Sequence, residues 1–234
     1  MLIIDDFGGE YVGRKHAEHL TAVLKKYHDI SEDWEGKNIA DIDLIWYYER
    51  KHSARTCRLL MTSYIEKLLF KVGHKMPVKT QISPHRCRDI TYVSKVQQAL
   101  EEDSYPALDE NGVLQVQLIV GALLYYARTV NNKLLVALSA IGAHQSSAIE
   151  KTLKVINQLL YYYVTYPDDG TVYRSIDIIL TAHSDSGLNN ETKSRIIAGA
   201  HIFLSDNEPI TRWNGPILTI TQIMKYVLSS EAET

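Results

Sequence analysis

The feature that most constrains this chain is a change of texture at "YPDDG", residues 166–170. Ahead of it, "VLQVQLIVGALLYYARTV", "LLVALSAIGAHQ" and "SAIEKTLKVINQLLYYYVTY" follow one another and read as three consecutive helices. Their tyrosine runs are expected to pack as core and rim, since aromatic stripes at helical spacing are large apolar surfaces seeking partners. Beyond the turn, "SIDIILTAHSDSG", "SRIIAGAHIFLS" and "EPITRWNGPILTI" are β-rich segments parted by turn residues. Helices in one block and strands in another predict the α+β class.

The start of the chain adds a second β unit. "MLIIDDFGGEYVG" reads as strand, turn, strand, a hairpin with Asp5 and Asp6 at its tip. "RKHAEHLTAVLKKYH" follows with Ala17, Leu20, Val23, Leu24 and Tyr27 at helical spacing. His16 and His19 lie three apart on that helix without the HExxH arrangement of a zinc site, which makes them surface residues. "IADIDLIWYYER" and "CRLLMT" read as strands around the charged turn "RKHSAR". "TSYIEKLLFKVGH" is a short amphipathic helix, with Thr62 or Ser63 as its cap and Gly73 as its end. From Lys75 to Asp109, prolines 77, 84 and 106 and scattered charges predict a long exposed connection.

Composition narrows the function classes. Apolar residues make up 45% and charged residues 23%, the balance of a globular protein with a sizeable core. The two cysteines, Cys57 and Cys87, have no ligand spacing around them, which argues against structural zinc and for a reducing compartment. The apolar run from Leu118 to Ala127 is too short to span a bilayer, and no basic region precedes the first apolar residues. The expectation is an intracellular protein, cytoplasmic or nuclear, with no membrane partner.

Charge is unevenly spread. Between Arg50 and Gln98 stand eleven Lys or Arg against Glu66 and Asp89, so this stretch carries +9 and the rest of the chain −12. A basic segment within an acidic protein is the pattern of a local phosphate-binding surface. Two acidic motifs invite metal chemistry as well. Adjacent carboxylates at a hairpin tip, Asp5 and Asp6, suit a divalent ion, because Mg²⁺ prefers hard oxygen ligands and bridges to phosphate. "AHSDSGLNN" places Asp185 at the end of an apolar strand, and "SSEAET" resembles a helix start carrying Glu233. A strand-borne Asp, two further strands and a helix-borne Glu form the order in which a ribonuclease H fold assembles its first two ligands. Each acid also has a plain structural reading, as a turn residue or a helix-dipole partner.

Taken together, these segments resemble an internal piece of a copia-type LTR-retrotransposon Pol polyprotein. "LIIDDFGGEYVG" is similar to the palm hairpin with the polymerase Asp-Asp pair, and "HAEHLTAVLKKYHDI" to the helix after it. "IADIDLIWYYE" resembles the strand around the family's LGI, and "LLMTSYIEKLLFKVGH" its Q-x-x-Y-I-x-x-L-L helix. "VQLIVGALLYYART" resembles the G-x-L-x-Y helix, and "KTLKVINQLLYYYVTYPDDG" the K-x-x-x-R-Y-L segment. "HSDSG", "SRIIAGAHIFLSD", "ITRWNG" and "SSEAET" follow the family's order at the start of its ribonuclease H domain.

The resemblance implies an α+β fold in three parts. Residues 1–74 would be a partial reverse-transcriptase palm and the start of the thumb, 75–166 a linker and helical thumb or connection, and 167–234 the first part of a ribonuclease H-like mixed sheet. It implies Mg²⁺ held by Asp5 and Asp6 in one site and by Asp185 and Glu233 in the other. It implies phosphate contacts from Lys67, Lys71, Lys75, Lys79, Arg86 and Arg88 to an RNA–DNA or DNA primer–template duplex. A complementing Pol chain is a further implied partner. The family's remaining polymerase acid, its fingers and its later ribonuclease H acids have no counterpart here. Ile3 stands where the family has an aromatic, and "SDSG" lacks the usual second acid and tryptophan. The expectation is therefore an RNA-directed DNA polymerase and ribonuclease H fragment, inactive as an isolated chain. The alternative is a host-retained nucleic-acid-binding or interaction module that performs no chemistry.

Overall fold

The computed structural model describes residues 2–3, 6–9, 11–48, 55–75, 79–85, 105–187, 196–208 and 211–224. Its architecture is α+β, with helices packed between antiparallel sheets.

The chain opens on a hairpin of β1 (Leu2–Ile3) and β2 (Asp6–Phe7), with Ile3 opposite Asp6. The second strand thus starts at the acid itself, and Tyr11 to Gly13 form a bend instead of the strand expected at "EYVG". Tyr11 is drawn off to meet Trp34 edge-on at 5.9 Å, and the Arg14 guanidinium lies 4.6 Å from the same indole. Helix α1 (Arg14–Leu24) leads towards β3 (Asn38–Ile39) by way of a turn built on Asp33. The Asp33 carboxylate accepts the backbone N–H groups of Glu35, Gly36, Lys37 and Asn38, which hold its pKa below the usual carboxylate range.

Strands β3, β4 (Ile42–Tyr47) and β5 (Thr56–Leu60) form an antiparallel meander. Ala40 and Asp41, both at positive φ, make the two-residue turn between β3 and β4, the geometry that matches strand twist in a tight hairpin. Helix α2 (Thr62–Lys71) begins directly after β5. Neither Thr62 nor Ser63 caps it: the N-cap position falls to Met61, whose side chain is buried in the core. Its end is as expected. Gly73 takes φ +61, and the N–H groups of Gly73 and His74 close back on the carbonyls of Phe70 and Leu69.

The helical layer is α3 (Glu110–Thr129), α4 (Leu135–Gly142) and α5 (Glu150–Thr165). Helix α3 starts three residues ahead of Val113 because the Asp109 carboxylate caps it through the Gly112 N–H at 2.8 Å. Its buried residues Val116, Ile119, Val120, Leu123, Tyr126 and Ala127 trace one helical stripe, answered on α5 by Ile156, Leu159, Leu160 and Tyr163. Tyr126, Tyr162 and Tyr163 are core, whereas Tyr125 and Tyr166 lie at the rim.

After α5 the chain does something that no local pattern announced. Strand β6 (Thr171–Arg174) runs back to pair with β5, with Thr56 opposite Arg174, so one four-stranded sheet joins residues 38–60 to 171–174. Gly170 makes the approach possible, since a Cβ there would run into the Leu59 carbonyl oxygen. The last sheet is a three-stranded antiparallel meander of β7 (Ile179–Gly187), β8 (Ile196–Ser205) and β9 (Pro216–Met224), with a bulge at Ile202/Phe203. Phe203 is fully buried on one face, where Asn132 reaches from the helical layer to Thr219 and His201. Every strand pairing among the described residues is antiparallel, so the parallel pairs of a mixed sheet are not among them. No helix among the described residues is long and apolar enough to cross a membrane.

Candidate nucleic-acid and metal sites

The basic candidates gather on and after α2. Ile65 and Leu68 bury one side of this helix against the core, which turns Lys67 and Lys71 outward. Lys75 follows just beyond the Gly73 end, and Lys67, Lys71, Lys75 and Lys79 are all exposed. Lys67 lies 3.7 Å from Asp41 of the β3–β4 turn, an exposed pair of small energetic weight. Lys71 and Lys75 have no ionic partner among the described residues. Lys71 also sits in the last turn of α2, where a cation offsets the negative end of the helix dipole. Arg86 and Arg88 lie outside the described residues.

Not every cation of the +9 stretch is available to a ligand. Arg58 on β5 gives its guanidinium to the Asp168 carbonyl and so fastens the turn ahead of β6. That role was invisible in the sequence, since Arg58 and Asp168 are 110 residues apart.

Among the metal candidates, Asp185 is the one whose side chain is described. It lies on β7 with its carboxylate exposed, opposite Gly199 of β8. Its Oδ1 accepts the N–H of Ser186 at 2.8 Å. Asp6 is placed on β2 by its backbone, and Asp5 and Glu233 lie outside the described residues. Among the described residues no group of three His, Cys, Asp or Glu side chains converges in the manner of a metal site. One carboxylate with a free oxygen can still take a hydrated Mg²⁺ weakly, because this ion keeps most of its water.

Two side-chain clusters escaped the sequence reading. On the packed face of the last sheet, Trp213 covers His183 and His201, its ring centroid 4.6 and 5.4 Å from theirs, with Phe203 beneath. His183 and His201 are cross-strand partners, a relation readable only once the register is known. At the other end, Trp46 and Tyr48 stack at 5.2 Å on β4 and its extension, and the Trp46 indole donates to the Gly36 carbonyl at 2.8 Å. Cys57 offers no nucleophile: it is buried, and burial pushes its thiol up to about 11. His16 and His19 are exposed on α1, as expected for surface helix residues.

Neither family models, nor curated proteins, nor solved structures give a match to this chain.

Proposed function

We propose that this chain grips nucleic-acid phosphates, as a piece of a copia-type reverse transcriptase and ribonuclease H that carries part of each Mg²⁺ site. The observation that carries the reading is the lysine row Lys67, Lys71 and Lys75, exposed along α2 and its end with the opposite helix face locked into the core. A row of exposed ammonium groups is a surface on which a phosphate backbone displaces its counterions. The polymerase and ribonuclease H side of the reading is supported by the two acid-bearing β units: a hairpin with Asp6 on its second strand, and a meander with Asp185 exposed on its first. In the ribonuclease H role, Asp185 would hold Mg²⁺, which would supply Lewis-acid stabilisation of charge at the scissile phosphate. Asp5 and Asp6 would do the same over the primer end.

The test is binding to a labelled primer–template duplex across a salt series. Three phosphate contacts predict a slope of log affinity against log salt of about −2.7. Reversing all three lysines, Lys67→Glu with Lys71→Glu and Lys75→Glu, is expected to abolish binding, and Arg212→Glu beyond the helical layer to leave it unchanged. Equal binding by the triple variant would remove the lysine row from the function.

A further inference from the structure

Among the described residues, Phe70 takes no part in the core. It lies on α2 between Lys67 and Lys71, and it is 90% exposed, while Ile65 and Leu68 of the same helix are buried. We propose that the Phe70 ring is a stacking platform for an unpaired nucleotide base, with Lys67 and Lys71 on one flank of the ring holding the adjoining phosphates. The inference rests on the nucleic-acid reading of the lysine row and adds the class of ligand: single-stranded nucleic acid, or the overhang of a duplex.

Two observations support it. Lys67 and Lys71 are one turn apart, about 6 Å along the axis, and the aromatic ring rises from the same turn. An aromatic face beside phosphate-binding cations is the recurring unit of single-strand recognition, because every base presents a face whatever its identity. The neighbouring acid, Glu66, sits at the flank of the ring away from Lys71 and leaves the lysine side of the platform open. Within a duplex the faces of internal bases are already covered. There Phe70 would have to wedge a base step apart and lose its stacking, so an unpaired base is the better partner.

The experiment is fluorescence anisotropy on two probes, a labelled single strand of about 20 nucleotides, longer than the roughly 4–16 that one such site covers, and a blunt duplex of the same length. Wild type is compared with Phe70→Ala, Phe70→Trp and Lys71→Ala. Phe70→Ala is expected to weaken single-strand binding about 5- to 150-fold, the equivalent of the roughly 1–3 kcal/mol carried by one base–aromatic stack. Blunt-duplex binding should stay within about twofold, and the salt slope should be unchanged, since no phosphate contact is lost. Phe70→Trp should bind at least as tightly as wild type. Lys71→Ala should behave differently, lowering the single-strand salt slope by about 0.7. Thermal melting of Phe70→Ala should match wild type, because the ring supports no core contact.

If wild type and Phe70→Ala bind the single strand equally, or lose equally on the blunt duplex, the stacking role is refuted and the lysine reading stands. Should Phe70→Ala instead turn a dimer into a monomer in sedimentation with nucleic-acid affinity intact, the ring belongs to a contact between copies and the proposal is wrong. Wild type binding neither probe would overturn the nucleic-acid reading and this inference together.

Discussion

Asp169, in the turn after α5, closes the helical layer. Its carboxylate accepts from Lys133 Nζ at 2.7 and 3.0 Å, from Asn131 Nδ2 at 3.2 Å and from the Tyr162 hydroxyl at 3.4 Å, with 18% of its side chain exposed. Its carbonyl also accepts from the Tyr126 hydroxyl at 3.0 Å, and burial pushes that phenol up to about 12. Asp169→Ala strips an acceptor from the buried Asn131 amide and is expected to cost about 2 kcal/mol in chemical denaturation, with Asp169→Asn costing about half as much. Equal midpoints for wild type and Asp169→Ala would show that Asn131 finds another acceptor. His74 makes the pH-dependent counterpart. It packs on Tyr161 at 4.7 Å with Nε2 buried and unpartnered among the described residues, and burial lowers its pKa. The unfolded chain, with an ordinary histidine near 6.5, then binds the proton more readily than the native one. Stability is therefore present above about pH 6.5 and declines as the pH falls towards the lower folded value. His74→Phe should flatten unfolding free energy between pH 7 and pH 5, and an unaltered slope would place the acid sensitivity elsewhere.

At the scale of elements, the join of β5 to β6 ties the strands after α5 to the first sheet. Four residue pairs hold it, from Thr56 and Arg174 to Leu59 and Thr171, and Gly170 stands at its mouth. A Cβ at Gly170 would run into the Leu59 carbonyl oxygen and lie 2.6 Å from Leu60 Cδ2, with backbone on one side that has no room to give. Gly170→Ala should destabilise by about 3 kcal/mol, at the upper end of overpacking costs. The loss should show first as faster amide exchange in Thr171–Arg174, since parting this pair leaves the β7–β9 meander intact. Protection that stays native-like in β6 would mean the turn shifts to make room. The meander illustrates the opposite case. Strands of nine and ten residues pair over nearly their full length, and their β-rich composition was plain in the sequence.

For the whole molecule, the two acid-bearing units lead to a negative expectation. Asp185 stands exposed with one oxygen already bonded to the Ser186 N–H, and a single carboxylate leaves Mg²⁺ largely hydrated. A two-metal mechanism needs a charge clamp on both the attacking and the leaving oxygen. The 234-residue chain is therefore expected to show no template-directed nucleotide incorporation and no cleavage of an RNA–DNA hybrid, in Mg²⁺ or Mn²⁺. Activity above background that disappears in Asp5→Ala or Asp185→Ala would contradict this.

The sequence by itself determined most of the elements, but not β6 or the turn at Ala40 and Asp41 that splits the strand expected over residues 39–50. Apolar spacing marked α3, α4 and α5 and the strands of the last meander, and Gly73 marked the end of α2. Each of these depends on residues within a turn or a strand of one another, where side-chain periodicity and turn chemistry act locally. Tertiary structure alone decided that β6 returns to β5, that Arg58 fastens Asp168, that Asn132 ties the helical layer to His201 and Thr219, and that Lys67, Phe70 and Lys71 share an outward face. Most of these contacts join residues far apart in the chain, so their formation is governed by loop closure and by which apolar faces fit, neither of which leaves a trace in local pattern. The outward face of α2 is set the same way, by the core that claims Ile65 and Leu68.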